Sequence, residues 1–167
     1  MTARSFITRH SLVRMSCPMQ KAALRWWKNR RGHAELDHAP YLELAPNLQI
    51  AMDHNQLGAP QFFYVGEQSW AAKLLGHNFT PAIHAGEWWD DGGYSDAISG
   101  IFSDVSESQE AAFEEIKALV HLPAHIMPSG APVVLHYDRL TLPTRLEGGQ
   151  TTFTVLTTPR SMLQVVN

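Results

Sequence analysis

The sequence has 167 residues, 44% hydrophobic, 10% aromatic and 17% charged, the composition of one globular domain large enough to bury its own core. Its single cysteine, Cys17, excludes an intramolecular disulfide, zinc fingers, CxxC redox motifs and CxxCH haem attachment, and suits a reducing compartment, so a cytoplasmic location is expected. The net charge of −3 conceals an asymmetry: residues 1–34 carry eight basic and no acidic side chains, whereas the other 133 residues carry five basic against sixteen acidic, a net −11. A basic arm can contact an acidic partner, a membrane surface, nucleic acid or its own acidic body, and in its plainest form is a solvated helix face. The acidic body opposes nucleic-acid binding. No apolar run approaches the roughly 18 residues of a membrane span. Residues 1–20 lack the apolar stretch of a secretory signal, while their Arg and Ser content leaves a transit peptide as a minor alternative.

Residues 1–17 fit neither helical nor strand periodicity and are expected to be a flexible basic lead-in. Pro18 then opens an amphipathic helix in which Met19, Ala23 and Trp27 recur at i, i+4, i+8, with Leu24 beside them, a Trp26-Trp27 pair, and Gly32 as the stop. Two adjacent tryptophans bring much apolar area. Met19, Ala23, Trp26 and Trp27 are therefore expected either to pack on the chain's own sheet or to form the interface of a homodimer. Residues 33–46 read as a connection, Leu48–Met52 and Gln61–Val65 as two antiparallel strands, and Ser69–Gly76 as a short capped helix. Residues 77–94 read as loop. A helix follows Ser95, with Ile98, Ile101, Phe102 and Val105 on one face, and Ser106 with Gln109 resembles a capping box for a further helix carrying Phe113, Ile116 and Val120. The segments 121–128, 133–142 and 151–158 read as three strands of an antiparallel meander.

Helix, two strands, several helices and three strands predict an α+β fold, a five-stranded antiparallel sheet with helices gathered on one face. In this order the chain resembles a PAS domain, and more narrowly the small single-domain bacterial PAS family. The residues that carry the likeness are Trp26 or Trp27 with Arg30-Arg31-Gly32, Pro46-Asn47-Leu48-Gln49-Ile50, Phe62-Phe63-Tyr64-Val65-Gly66, Leu75-Gly76, and Tyr137-Asp138-Arg139-Leu140-Thr141-Leu142-Pro143 followed by Gly148-Gly149. The resemblance covers about residues 20–160 and makes 33–167 the PAS-like domain, with 18–32 as its N-terminal helix. It implies a non-enzymatic sensory or regulatory module that acts through contact with a protein partner in a signalling pathway, with a small ligand between sheet and helices. The alternative is a small α+β enzyme or binding protein of the cone-shaped type, which places a long helix first and a strongly curved sheet after it.

The chemistry-bearing residues fit no catalytic or metal template. His121 and His125, on one face of a strand, would stand ~13 Å apart, too far to share an ion. His77 and His84, near Glu87, Asp90 and Asp91, match no ligand spacing. No GxSxG, HExxH, P-loop or GxGxxG is present, Asp90-Asp91 reads as a solvated pair, and Gly92-Gly93 as a turn. No metal and no catalytic residue are therefore expected. The cofactor is left open: Cys17 lies outside the helical core where a covalent flavin or chromophore would need a thiol, and residues 95–120 offer no histidine to a haem. A core pocket, where one exists, is expected to be lined by Tyr64, Trp88, Phe102, His125 and Tyr137 beside the Ile98–Val105 helix.

Overall fold

A computed structural model of the chain describes residues 6–34, 39–52, 61–75, 94–122 and 128–165. Its strands are β1 (Phe6–His10), β2 (Gln49–Met52), β3 (Gln61–Val65), β4 (Ala112–His121), β5 (Pro132–Arg145) and β6 (Thr151–Val165), and its helices α1 (Pro18–Asn29), α2 (Ala39–Leu44), α3 (Trp70–Leu75) and α4 (Tyr94–Ser108). All six strands join one antiparallel sheet in the order β1-β4-β5-β6-β2-β3, so the β2-β3 pair is attached to the last strand of the β4-β5-β6 meander. The fold is thus α+β with six strands rather than five. The sixth is β1: where the sequence predicts a loose lead-in, residues 6–10 pair with β4, a 3-10 turn follows at Leu12–Arg14, and Met15 is buried.

Strand alternation divides the sheet into two faces. Ile116, Ala118, Val120, Val133, Leu135 and Tyr137 meet Trp70 and Leu74 of α3 and Ile98 of α4, while Phe153 and Val155 of β6 and Ala51 of β2 meet Phe102 and Val105 of α4. The intervening positions Phe113, Leu140, Leu142 and Leu156 face the other way, onto Ala23 and Trp26 of α1 and Tyr41 of α2. Helices therefore cover both faces, and the expectation of one covered face holds only for α3 and α4. The two faces are called below the α4 face and the α1 face.

Trp26 lies against Tyr41 with ring centroids 5.0 Å apart, and the Trp27 indole N–H donates to the Pro143 carbonyl at 2.6 Å. Arg145 N–H donates to Gly32 O at 2.7 Å, and Gly32, at φ 77°, lies so close that an added Cβ would stand 3.3 Å from the Trp27 indole nitrogen. Gly66 is required by proximity of another kind, since a Cβ there would collide with the carbonyls of Ala45 and Pro46.

The predicted helix from Ser106 through Val120 is not formed. Gln109 takes φ 55°, its N–H donates to Val105 O at 2.9 Å and its side-chain amide to Ser106 O at 2.7 Å, so this pair ends α4 instead of starting a helix. Ile116 and Val120, four apart, satisfy a strand period as well as a helical one, and pairing with both β1 and β5 overrides the helix propensity of AAFEEIKAL. His121 closes β4 rather than opening a strand, and residues 123–127 lie outside the described residues.

Candidate functional site

Register sets Glu114 of β4, Arg139 of β5 and Thr157 of β6 side by side on the α4 face, with Ala112, Thr141, Val155 and Gln49 forming the next row. Glu114 and Arg139 are 1% and 3% exposed, and a single bond joins them, from Arg139 Nε to Glu114 Oε2 at 3.3 Å. A bidentate fork would use both oxygens. Here Arg139 Nη2 and Glu114 Oε1 have no partner, and neither do Thr141 Oγ1, Thr157 Oγ1 and Gln49 Nε2. Five unpartnered buried polar atoms on one face are unusual, since such atoms ordinarily bond to protein or to ordered water.

Aromatic rings roof this polar row. The Arg139 guanidinium carbon stands 5.1 Å from the Phe102 ring centroid, a cation-π arrangement, and Phe102 packs edge-on to Phe153 at 4.8 Å and Phe62 at 6.3 Å. Two residues along β5 from Arg139, Tyr137 packs on Trp70 at 4.9 Å. Burial pushes the Glu114 carboxyl above its ordinary range, opposed by the charge and hydrogen bond of Arg139. A guanidinium and an amide as donors, a carboxylate as acceptor and two adaptable hydroxyls are groups that recognise a small polar molecule. The Thr141 and Thr157 hydroxyls have no hydrogen-bond partner.

Of the residues predicted to line a pocket, Phe102 stands over Arg139 on this face and Tyr137 lies two residues along β5 from it. Tyr64 does not join them: it pairs with Ile50, belongs to the α1 face, and donates its hydroxyl to Ala45 O at 3.0 Å. Trp88 and His125 lie outside the described residues, as do His77, His84 and Asp90–Gly93. Sequence reasoning missed Arg139, Glu114 and Gln49. The signal for Arg139 was available, because alternation from Val133, Leu135 and Tyr137 places it on an apolar face; that for Glu114 was hidden by the assignment of its segment to a helix.

A second polar cluster occupies the part of the α1 face beyond the helices. Glu115 accepts from His136 Nε2 at 2.7 Å and from His10 Nε2 at 3.1 Å, and Arg160 Nη1 stands 3.5 Å away while its Nε donates to Asp138 at 2.7 Å. The two histidine bonds, that of His10 first, hold the Glu115 carboxyl down at about 2. Among the described residues no group of three or more His, Cys, Asp or Glu is disposed to hold a metal ion, and no helix is long and apolar enough to cross a membrane.

The residues predicted for an interface divide. Ala23 and Trp26 are enclosed by the chain itself, Trp27 is committed to Pro143, and Met19 is exposed. No family model, no curated protein and no solved structure matches this chain.

Proposed function

We propose that the chain is a non-enzymatic PAS-type sensory or regulatory module of the cytoplasm that holds a small polar ligand between its sheet and α4 and passes the signal on by contact with a protein. The observation that carries this reading is the half-paired Glu114–Arg139 couple under Phe102, since a buried charge pair with unused donor and acceptor sites is costly unless something completes it. The sheet order supports it too: β3-β2-β6-β5-β4, with the helices between β3 and β4 on one face, is the arrangement a PAS sheet would have.

Native mass spectrometry beside the denatured mass tests the ligand. The reading expects an excess over a whole number of chains that disappears in Arg139→Met and persists in Glu115→Gln, on the opposite face. An excess that survives in folded Arg139→Met, or none in the freshly purified protein, overturns it.

The protein contact, including a homodimer, would use exposed Met19 and Leu42 on the outer side of α1 and α2, because Ala23 and Trp26 are covered by the chain's own sheet. Light scattering on Met19→Asp with Leu42→Asp should then read a monomer where the parent reads a dimer. A mass unchanged by the double substitution counts against this surface.

A further inference from the structure

β2 pairs with β6 only as far as Gln49 opposite Val155, whereas β6 runs on to Val165. Beyond Val155 a side chain takes the place of a strand: Gln20 of α1, 1% exposed, donates Nε2 to Leu156 O at 3.1 Å, and its Oε1 has no partner. Against this gap lies a cavity of about 220 Å³, bounded by Cys17 and Gln20 at the start of α1, by Trp70 and Lys73 of α3, and by Thr157 to Pro159 of β6.

The volume and the chemistry of the walls narrow the occupant. Drug-sized ligands take cavities of roughly 300 Å³ and more, so this one suits a molecule the size of a single amino acid. Lys73 is the one charged side chain among the described residues of the lining. The first turn of α1 contains no acid and Cys17 provides no side-chain cap, so the positive end of a twelve-residue helix faces the cavity unneutralised. Both features favour a negative group. The unused Gln20 Oε1, a pure acceptor, calls for an N–H or O–H on the same molecule.

We propose that this edge cavity binds a small α-amino or α-hydroxy acid, its carboxylate toward Lys73 and the start of α1 and its ammonium or hydroxyl donating to Gln20 Oε1. The site adjoins the one under α4 at Thr157, which stands in register with Arg139, but is built from other groups. Either can fail without the other, because nothing in this argument uses Arg139 or Glu114.

Cys17 is the only thiol in the chain, so its alkylation by iodoacetamide reads this site alone. The probes are the free L-amino acids, L-lactate and L-malate. At least one should slow alkylation by roughly an order of magnitude at about ten times its dissociation constant. The amide of that same acid should give no protection, and Lys73→Gln, an exposed position, should weaken protection by roughly tenfold. Protection by none of the probes up to their solubility, equal protection by the amide, or protection undiminished in Lys73→Gln overturns the proposal.

Discussion

Glu114 and Glu115 are neighbours on β4 and face opposite sides of one sheet, and their carboxyls are driven in opposite directions. Glu114, sealed under α4 with one imperfect bond to Arg139, is pushed up by burial. Glu115, partly open to solvent with two histidines and an arginine around it, is held down at about 2. The difference shows that a carboxylate is stabilised by the number of its donors rather than by its depth. The cluster around Glu115 is completed by the protein's own side chains, and the Glu114–Arg139 pair is not.

The largest effect expected from breaking this contrast is that of Arg139→Met. It strips Glu114 of its one hydrogen-bond partner among the described residues and should cost about 3–5 kcal/mol by chemical denaturation near neutral pH. The pH dependence identifies the cause. With the guanidinium gone, burial, the largest influence, raises the folded-state value of Glu114 with only the charge of Arg9 opposing it, so stability is greatest below its unfolded value and is lost as pH rises through the folded one. The deficit of the variant should therefore shrink in acid. A second substitution, Glu114→Leu, removes the stranded charge and should recover most of the loss, and a double variant no better than the single would show that Arg139 acts by packing on Phe102.

Glu115 carries the opposite sign. Its folded value lies below the ordinary one of 4.5, so its contribution is present above about pH 4.5 and is lost as pH falls toward 2. Glu115→Gln should flatten acid unfolding over that window and cost about 1–2 kcal/mol near neutrality, less than the shift alone implies because the network is open to solvent screening. Acid curves that superimpose for parent and variant would place the stabilisation elsewhere.

The contrast between the faces was only half legible in the sequence. The β2-β3 pair, α3 and the β5-β6 hairpin follow from local signals: aromatic strands around turn residues, Ser69 accepting from Ala72 N–H at 3.2 Å, and the Gly148-Gly149 turn. What could not be read locally is what depends on a distant partner. FITRH becomes a strand because the edge of β4 accepts it, and AAFEEIKAL, helical by propensity, becomes β4 because it is held between β1 and β5. With β4 read as helix, Glu114 had no face, and the pair it makes with Arg139 was invisible. Tyr64 lies away from Phe102 and Tyr137 for a related reason, since strand parity assigns it to the α1 face through Ile50.

His10→Ala sharpens the comparison at the sheet edge. β1 is mostly exposed and is held by its ladder with β4 and by the bond from His10 to Glu115. Losing that bond should cost about 0.5–1 kcal/mol and speed hydrogen exchange in β1 while leaving β5 unchanged. Faster exchange across the whole sheet would mean that β1 is an integral part of the core rather than an appended edge.

The smallest effect is the most discriminating. Thr141 and Thr144 are both fully buried on β5, on opposite faces. The Thr144 hydroxyl bonds to Leu142 O at 3.1 Å and to Thr154 Oγ1 at 2.9 Å, whereas the Thr141 hydroxyl has no partner. Replacing a bonded buried hydroxyl should cost about 1 kcal/mol, so Thr144→Val sets the scale. Thr141→Val removes a polar group that gains nothing from the protein and should fall within about 0.5 kcal/mol of zero, or stabilise slightly, in the empty protein. If Thr141→Val costs as much as Thr144→Val, its hydroxyl bonds in solution to something other than protein. If that cost then disappears once a molecule seen in the native mass has been removed, the molecule sits against Thr141, beneath α4 and beside Arg139.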